Sequence, residues 1–560
     1  MWGCQDVEGL VPLLPSPDLP TSPHPRIPPF IYRTNPETAT GASMTSRGQI
    51  QQLLARLAPA VLLGVVAFGL VLTVTDPPGP GLDPDAMSYM GAAQSLVARG
   101  TYRIPSAPWA SADSTSPLAH FPPGYPTALA IPVALGMEPP QAARLIDALA
   151  AAVTVTTLVL VVTAATTPVA GALLGVALIV TPAMATVHLS VLSEPLFLAL
   201  LALTLAAMVY APDQPLRAGI TAALGAMVRY AGASLVGAVV LWAFARRAPL
   251  RERVRRAAIA TAPALLLEGA WVVRTRIAAG GAHAIRRFAL YGGLGPTLVG
   301  GGATLRDWLV PETDPEWPLP HRGLIALAAA MVLVTLLILG TNAARAEART
   351  GNRDQGGRAW RVLRACGLLV ACYLAMVAVS RLIADPAIPL DERILAPFLL
   401  LSTTALALAI ACWWRASSSR VVPGAVAVAL LGWCLSSMSV TRNDASFALG
   451  YGSDFAGEQW RLSPVLDWAR TNGAKHPLYT NWPAAVYFHL HRASYTLPRR
   501  DERDSLAAFA DAVRRRDGRV LLFDAPNTDD IVADSLIALR GLHVVAKLDD
   551  GVVLAPDPVR

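Results

Sequence analysis

The chain is short of charge. Asp, Glu, Lys and Arg make up 15% of its 560 residues, whereas a soluble globular chain usually carries about 25%. Lysine is nearly missing, since Lys475 and Lys547 are the only two. Hydrophobic residues reach 54% and the mean hydropathy is +0.45. This composition excludes an ordinary soluble protein and favours a membrane protein.

Cysteine is also scarce. The five cysteines are Cys4 near the start and Cys366, Cys372, Cys412 and Cys434 in or beside apolar segments. No pair has the spacing of a metal or redox motif, so no disulfide framework is predicted. No metal ligand and no certain cofactor is assigned, and dependence on a divalent metal is left open.

The formal charge of +7 comes almost entirely from arginine. The arginines gather in short connections between apolar blocks, notably 246–256, 345–364 and 413–420. Cytoplasmic loops of membrane proteins carry such an excess of basic residues. We therefore predict no nucleic-acid partner, a cytoplasmic N-terminus and an external C-terminal part in a multi-pass protein of the inner or plasma membrane.

Apolar blocks close to the length of about 20 residues that crosses a bilayer predict spanning helices. The predicted fold class is an α-helical polytopic membrane protein of about eleven spans with a small external α/β domain at its C-terminus. The α/β prediction rests on helix-period and short β-type segments that alternate from about residue 453. The predicted spans are 57–75, 145–165, 169–187, 193–211, 216–228, 231–245, 257–275, 322–341, 363–382, 394–412 and 421–440.

Three regions follow from this pattern. Residues 1–43 are rich in proline without apolar periodicity and are predicted to be disordered; Met44 is a candidate alternative start. Residues 44–445 form the predicted transmembrane domain, with a long first external loop at 76–144. Residues 446–560 form the predicted external domain.

The first external loop places Asp83 and Asp85 just beyond the first span, before a helical pattern that includes Met87 and Met90. This pattern predicts an amphipathic helix on the membrane surface. An acidic residue there caps the helix and compensates its dipole, or serves as a general base at the boundary of water and lipid. Composition alone leaves both roles open.

The segment DPDAMSYMGAAQSLVARGTY resembles the first external loop of the C-type (GT-C) membrane glycosyltransferases, in particular the bacterial protein O-mannosyltransferases and aminoarabinose transferases. Asp85 and Tyr89 match the spacing of the acidic residue and tyrosine in that family. The segment HFPPGYP, which holds His120 and Tyr125, is similar to the stretch that leads into the second span. The familiar Asp-Glu pair is here Asp83-Pro84-Asp85, so the choice of base stays open, and the spacing to Tyr89 favours Asp85.

Three later segments resemble family motifs in the same order. They are HLSVLSEPLFLAL with Glu194, LGAMVRYAGASLV with Arg229 and Tyr230, and LDERILAPFLLL with Arg393. Simpler explanations are an interfacial anchor for each arginine and a helix-dipole partner for Glu194.

The resemblance implies an enzyme that moves a sugar from a polyprenyl-phosphate donor to a glycan, lipid or protein acceptor on the external face, with inversion and with Asp85 as general base. The implied substrate-binding residues are Asp83, Tyr89, His120, Tyr125, Glu194, Arg229, Tyr230 and Arg393. Arg286 or Arg287 is a further candidate for binding the phosphate. Alternative functions are a transporter or flippase, or a surface-glycan polymerase or ligase, with an external accessory domain.

Overall fold

The computed structural model describes residues 46–278, 290, 294–312, 319–349, 355–384, 388–419, 421–499, 504–524 and 533–558. Contacts divide the chain into Met1–Gln51 and Gln52–Arg560, and the second unit holds the fold described here. Arg286 and Arg287 lie outside the described residues, as does the predicted disordered tail.

Ten of the eleven predicted spans each coincide with one helix, and the span predicted at 169–187 coincides with two. Within the described residues, seven helices are long and apolar enough to cross a membrane, or eight if a pair of helices bent by 58° counts as one span, and three more apolar helices are shorter. The protein is therefore a polytopic helical membrane protein, while the count of eleven spans stays a prediction. The helices are α1 Ser46–Val74, α4 Pro139–Ala165, α5 Pro168–Val180 with α6 Pro182–Leu189, α7 Glu194–Tyr210, α8 Pro215–Val228, α9 Ala233–Phe244, α10 Leu250–Ala278, α12 Leu319–Arg349, α13 Gln355–Ile383, α14 Glu392–Ala416 and α15 Val421–Tyr451.

Proline sets several of these boundaries. Pro182 follows Thr181 at the start of α6 and lacks the N–H that would continue α5, so the chain bends between the two helices. Pro139, Pro168 and Pro215 occupy first-turn positions of α4, α5 and α8, where the missing N–H costs no intrahelical bond.

The first loop contains two helices and three short strands. They are α2 Pro84–Arg99, β1 Arg103–Ile104, β2 Ser106–Ala107, β3 Ser116–Pro117 and α3 Gly124–Ala134. A helix is present after the aspartates as α2, but the prediction that it is an amphipathic surface helix is wrong for its first half, which has no exposed face. Residues Ala86–Ala93 of α2 are buried around its whole circumference, because α3, β1 and the C-terminal region pack against it.

The C-terminal region contains both helices and strands, while the small external α/β domain stays a prediction. A six-stranded sheet combines five strands of this region with β2 of the first loop, which is one of its two edge strands. The boundary predicted at 445/446 stays a prediction, since α15 continues through it to Tyr451. The elements of this region are α16 Glu458–Arg461, α17 Pro464–Asn472, β4 Leu478–Thr480, α18 Pro483–Leu490, β5 Ser494–Thr496, α19 Leu506–Arg515, β6 Arg519–Phe523, α20 Ala533–Ile537, β7 Leu542–Leu548 and β8 Gly551–Pro556. The strands of the sheet follow the order β2-β5-β4-β6-β8-β7. One further helix, α11 Leu294–Leu309, lies earlier in the chain, between α10 and α12.

Backbone hydrogen bonds join three distant parts of the chain at one end of the helix bundle. The Gly81 N–H donates to the Leu189 carbonyl at 2.8 Å, and the Val191 N–H donates to the Gly81 carbonyl at 2.8 Å. The Phe455 N–H donates to the Leu82 carbonyl at 3.2 Å. A side chain at Gly81 would collide with that of Ser190. This junction brings the segment before α2 next to the segment between α6 and α7.

Candidate active site

Asp83 and Asp85 occupy different positions at the start of α2. Asp83 is the N-cap, and its Oδ1 accepts a hydrogen bond from the Asp85 N–H at 3.0 Å. Pro84 follows at the first helical position, where its fixed φ suits the helix. Asp85 lies in the first turn of α2, and its own carboxylate is not the one that caps the helix. Capping is thus a role of Asp83.

One guanidinium group joins three carboxylates. Arg393 Nη1 lies 2.8 Å from Asp83, its Nη2 lies 3.4 Å from Asp85, and its Nε lies 3.0 Å from Glu194. Arg393 is in the first turn of α14, whose N-cap Asp391 accepts from the Ile394 N–H at 2.9 Å. The cap fixes the start of the helix and so the direction of the arginine.

Glu194 is the most buried acid of this group, with 3% of its side chain exposed. Its second oxygen lies 2.6 Å from Arg229 Nη1, which also donates to Ser193 Oγ at 3.1 Å. Glu194 is the first residue of α7, and Arg229 directly follows α8, so this ion pair links two neighbouring helices. Three carboxylates face two guanidinium groups, and the cluster of Asp83, Asp85, Glu194, Arg229 and Arg393, here called the charged cluster, has a formal charge of −1 when fully ionised.

Tyr89 lies beside the charged cluster, four residues after Asp85 on the same face of α2. Its hydroxyl is 3.3 Å from Ser193 Oγ. Its ring makes an edge contact with Tyr125 at 5.2 Å between centroids. The Tyr125 hydroxyl donates to the buried carboxylate of Asp147 at 3.0 Å. Tyr125 therefore packs against Tyr89, and its connection to the charged cluster runs through Tyr89.

His120 and Tyr230 are placed differently from the other predicted residues. His120 is exposed and packs edge-on against Phe121 at 4.7 Å, and Phe121 in turn contacts Tyr89 at 4.9 Å. Tyr230 follows Arg229 and is 39% exposed. Their roles in substrate binding stay predictions.

Burial and, to a smaller extent, the negative charge of Asp83 together raise the pKa of Asp85 to about 6, against the opposing effect of Arg393. Burial also raises the pKa of Tyr89 above its ordinary range. A carboxyl with a pKa near 6 is largely ionised at neutral pH and is basic enough to accept a proton.

Sequence reasoning missed Ser193, Asp147 and Asp391. Ser193 contacts both Tyr89 and Arg229. Serine is so common before the start of a helix that its place directly before Glu194 gives no specific signal in the sequence. Asp147 was a detectable anomaly, because it is a lone acid near the start of a predicted span. Asp391 precedes Glu392 at a helix start, which is a recognisable capping position.

Among the described residues, no group of three or more His, Cys, Asp or Glu side chains is arranged to hold a metal ion. Each of the three carboxylates in the charged cluster contacts a guanidinium group.

No protein-family model matches the chain, and no curated protein matches its sequence. Solved structures do match its fold. The oligosaccharyltransferase of Archaeoglobus fulgidus, solved with Zn and sulfate, aligns with a TM-score of 0.50 at 12% identity, over 82% of this chain and 68% of that one. The chain has the C-type glycosyltransferase fold. The family resemblance of the sequence motifs is thus confirmed as a likeness of fold.

Two other glycosyltransferases align less closely. ArnT from Cupriavidus metallidurans in the apo state has a TM-score of 0.46 at 15% identity, over 88% of this chain and 97% of that one. The arabinofuranosyltransferase AftD from Mycobacteria has a TM-score of 0.48 at 16% identity, over 89% of this chain and 41% of that one. Since both scores fall below 0.5, the assignment of fold rests on the oligosaccharyltransferase.

Proposed function

We propose that the protein is a membrane glycosyltransferase that moves a sugar from a polyprenyl-phosphate donor to a hydroxyl acceptor, with Asp85 as general base. The observation that carries the proposal is the asymmetry of the three acids around Arg393. Asp85 has the longest contact with the guanidinium, at 3.4 Å, and the most exposed side chain, at 34%. It is the acid of the charged cluster best placed to act on a substrate.

Asp83 and Glu194 are occupied in other ways. Asp83 caps α2 and has a 2.8 Å contact with Arg393. Glu194 is buried between two arginines. Both acids hold guanidinium groups in fixed positions, and a positioned guanidinium offers a planar set of donors to phosphate without losing its charge.

The donor phosphate has one natural point of entry. It would replace the Asp85 carboxylate at Nη2 of Arg393, because the 3.4 Å contact is the weakest of the three. That exchange gives the phosphate a charged partner and at the same time releases Asp85. Binding of the donor and activation of the base are then coupled through one arginine.

The transfer step follows from this arrangement. Asp85 accepts the proton of the acceptor hydroxyl as the hydroxyl oxygen forms a bond to the anomeric carbon. The bond from that carbon to the phosphate oxygen breaks on the opposite face, and the lipid phosphate leaves with the electron pair. Arg393 and Arg229 stabilise the charge that develops on the leaving phosphate. A single displacement of this kind inverts the anomeric configuration.

The proposed setting is the external face of the inner or plasma membrane. The charged cluster lies at the end of the bundle where α7 begins and α8 ends, whereas the arginine-rich connection 246–256 follows α9 at the other end. A basic connection of this kind marks the cytoplasmic side. The acceptor is a glycan, a lipid or a protein, and the C-terminal region lies on its side of the membrane.

The test compares purified wild type with Asp85→Asn in nanodiscs, with a panel of polyprenyl-phosphate sugars as donors. Asparagine keeps the size of the side chain but accepts no proton at neutral pH, so we expect kcat to fall by about 100-fold or more. Asp113→Asn is the matched control, because Asp113 lies in the same loop with 79% of its side chain exposed. Full activity of Asp85→Asn, with activity lost in Asp83→Asn, would transfer the base to Asp83. Absence of turnover with every donor, in folded protein, would favour the transporter or flippase.

A further inference from the structure

A groove lies between α7 and α8 at the end of the bundle opposite to the charged cluster. Its volume is about 470 Å³. Its lining residues on α7, from Leu203 to Tyr210, lie roughly 14 to 24 Å from Glu194 along the helix axis, since an α-helix rises about 1.5 Å per residue. Small side chains on α7 leave the space open. The lining residues are Leu203, Ala206, Ala207, Tyr210, Ala211, Arg217, Ile220 and Thr221.

The walls of the groove are apolar and face outward. Leu203, Tyr210 and Ile220 are each at least one-third exposed, although they belong to apolar helices of a membrane protein. Large apolar side chains exposed on such helices face lipid chains, because water there would be unfavourable. The groove is therefore open to the hydrocarbon of the bilayer along its length.

Positive charge is found at the end of the bundle where the groove lies. Arg217 is exposed at the rim of the groove. Arg358 and Arg361 belong to the first two turns of α13, a helix that packs against α7. Within the part of the chain that the structure describes, none of these three guanidinium groups forms an ion pair. The nearby acid Asp213 is already paired with Arg246 at 2.9 Å.

We propose that this groove binds an anionic glycerophospholipid, with an acyl chain between α7 and α8 and the phosphate at Arg217, Arg358 and Arg361. Basic pockets between spanning helices on the cytoplasmic side suit acidic lipid headgroups, and guanidinium groups bind phosphate through paired N–H donors. The apolar wall selects a lipid over a soluble phosphate, since a free anion gains nothing from contact with leucine, isoleucine and alanine. The site is independent of the proposed sugar transfer.

The test is native mass spectrometry of the full-length protein in detergent, titrated with phosphatidylglycerol and with phosphatidylcholine of the same acyl chains. We expect phosphatidylglycerol to bind, and Arg217→Gln/Arg361→Gln to weaken it about 25-fold, since one basic residue near the surface contributes about fivefold. The matched control is Arg247→Gln/Arg251→Gln, which removes the same charge from exposed positions at the same end of the bundle. It should bind as the wild type does.

A second variant tests the groove without changing charge. Ala207→Phe would fill it, because Ala207 lies on its wall, and it should weaken phosphatidylglycerol to a similar degree. Equal affinity for phosphatidylcholine, or an equal loss in the control variant, would overturn the proposal. So would displacement of the lipid by millimolar glycerol 3-phosphate, which would identify the ligand as a soluble phosphate.

Discussion

The dependence of sugar transfer on pH tests the assignment of Asp85 most directly. The pKa of Asp85 is raised to about 6 by burial and by the charge of Asp83. If ionised Asp85 is the base, kcat/KM follows its ionised fraction. At pH 5 only about one-tenth of a carboxyl with this pKa is ionised, so the rate should be about tenfold below its plateau at pH 8. An ordinary aspartate would still be more than about 90% ionised at pH 5 and would give a nearly flat profile.

The fall in rate at pH 5 should not be caused by unfolding through Asp85. A carboxyl whose pKa is raised in the folded state binds its proton more tightly when folded, so its contribution to stability is present below the unfolded pKa and is lost as the pH rises through about 6. The protein should therefore regain full activity when it is held at pH 5 and assayed at pH 8.

The assay measures kcat/KM from pH 4.5 to 8 in nanodiscs with one active donor. A profile that stays flat between pH 5 and pH 8 would refute either the raised pKa or the role of Asp85 as base. A profile that falls at pH 5 in wild type and falls in the same way in a residually active Asp85→Asn variant would attribute the titration to another group.

Three further predictions concern the same end of the molecule. Asp83→Asn should move the acid limb of the rate profile to lower pH, because it removes the like charge next to Asp85, and a limb that moves to higher pH would contradict this. Glu194→Gln should lower the free energy of unfolding by about 3 kcal/mol, since it leaves the largely buried Arg229 without its charged partner. Thermal unfolding in detergent measures this loss, and a change below about 0.5 kcal/mol would show that the ion pair contributes little. Gly81→Ala should destabilise the protein by about 1–3 kcal/mol, because the added methyl group meets the side chain across the junction. The control is Gly69→Ala, where a Cβ atom meets nothing within 4 Å, and an equal effect of both substitutions would refute the argument.

Several features of the site could be found in the sequence because they depend on short stretches of chain. The sequence motifs identified Asp85, Glu194, Arg229 and Arg393, and the structure brings all four into one cluster. The motif around Tyr89 also identified a residue that contacts this cluster, through Ser193. His120 and Tyr230 belong to the same motifs, but the structure places them at its margin.

The helices themselves were determined by the sequence alone. Runs of apolar residues near the length of a bilayer must form helices in lipid, because the backbone finds no other hydrogen-bonding partner there. Prolines at helix starts then mark several of the boundaries. These signals need no knowledge of what lies across the fold.

Only the tertiary structure distinguishes the two aspartates of the first loop from each other. Asp83 and Asp85 are two residues apart and nearly equivalent in sequence, and they differ because Arg393, 308 residues from Asp85 along the chain, lies closer to Asp83. The charge and burial of a carboxyl depend on such distant partners, whose positions follow from helix packing rather than from local pattern. The strand β2, which joins the first loop to the C-terminal sheet, was hidden for the same reason. Two residues carry no detectable pattern until another strand pairs with them.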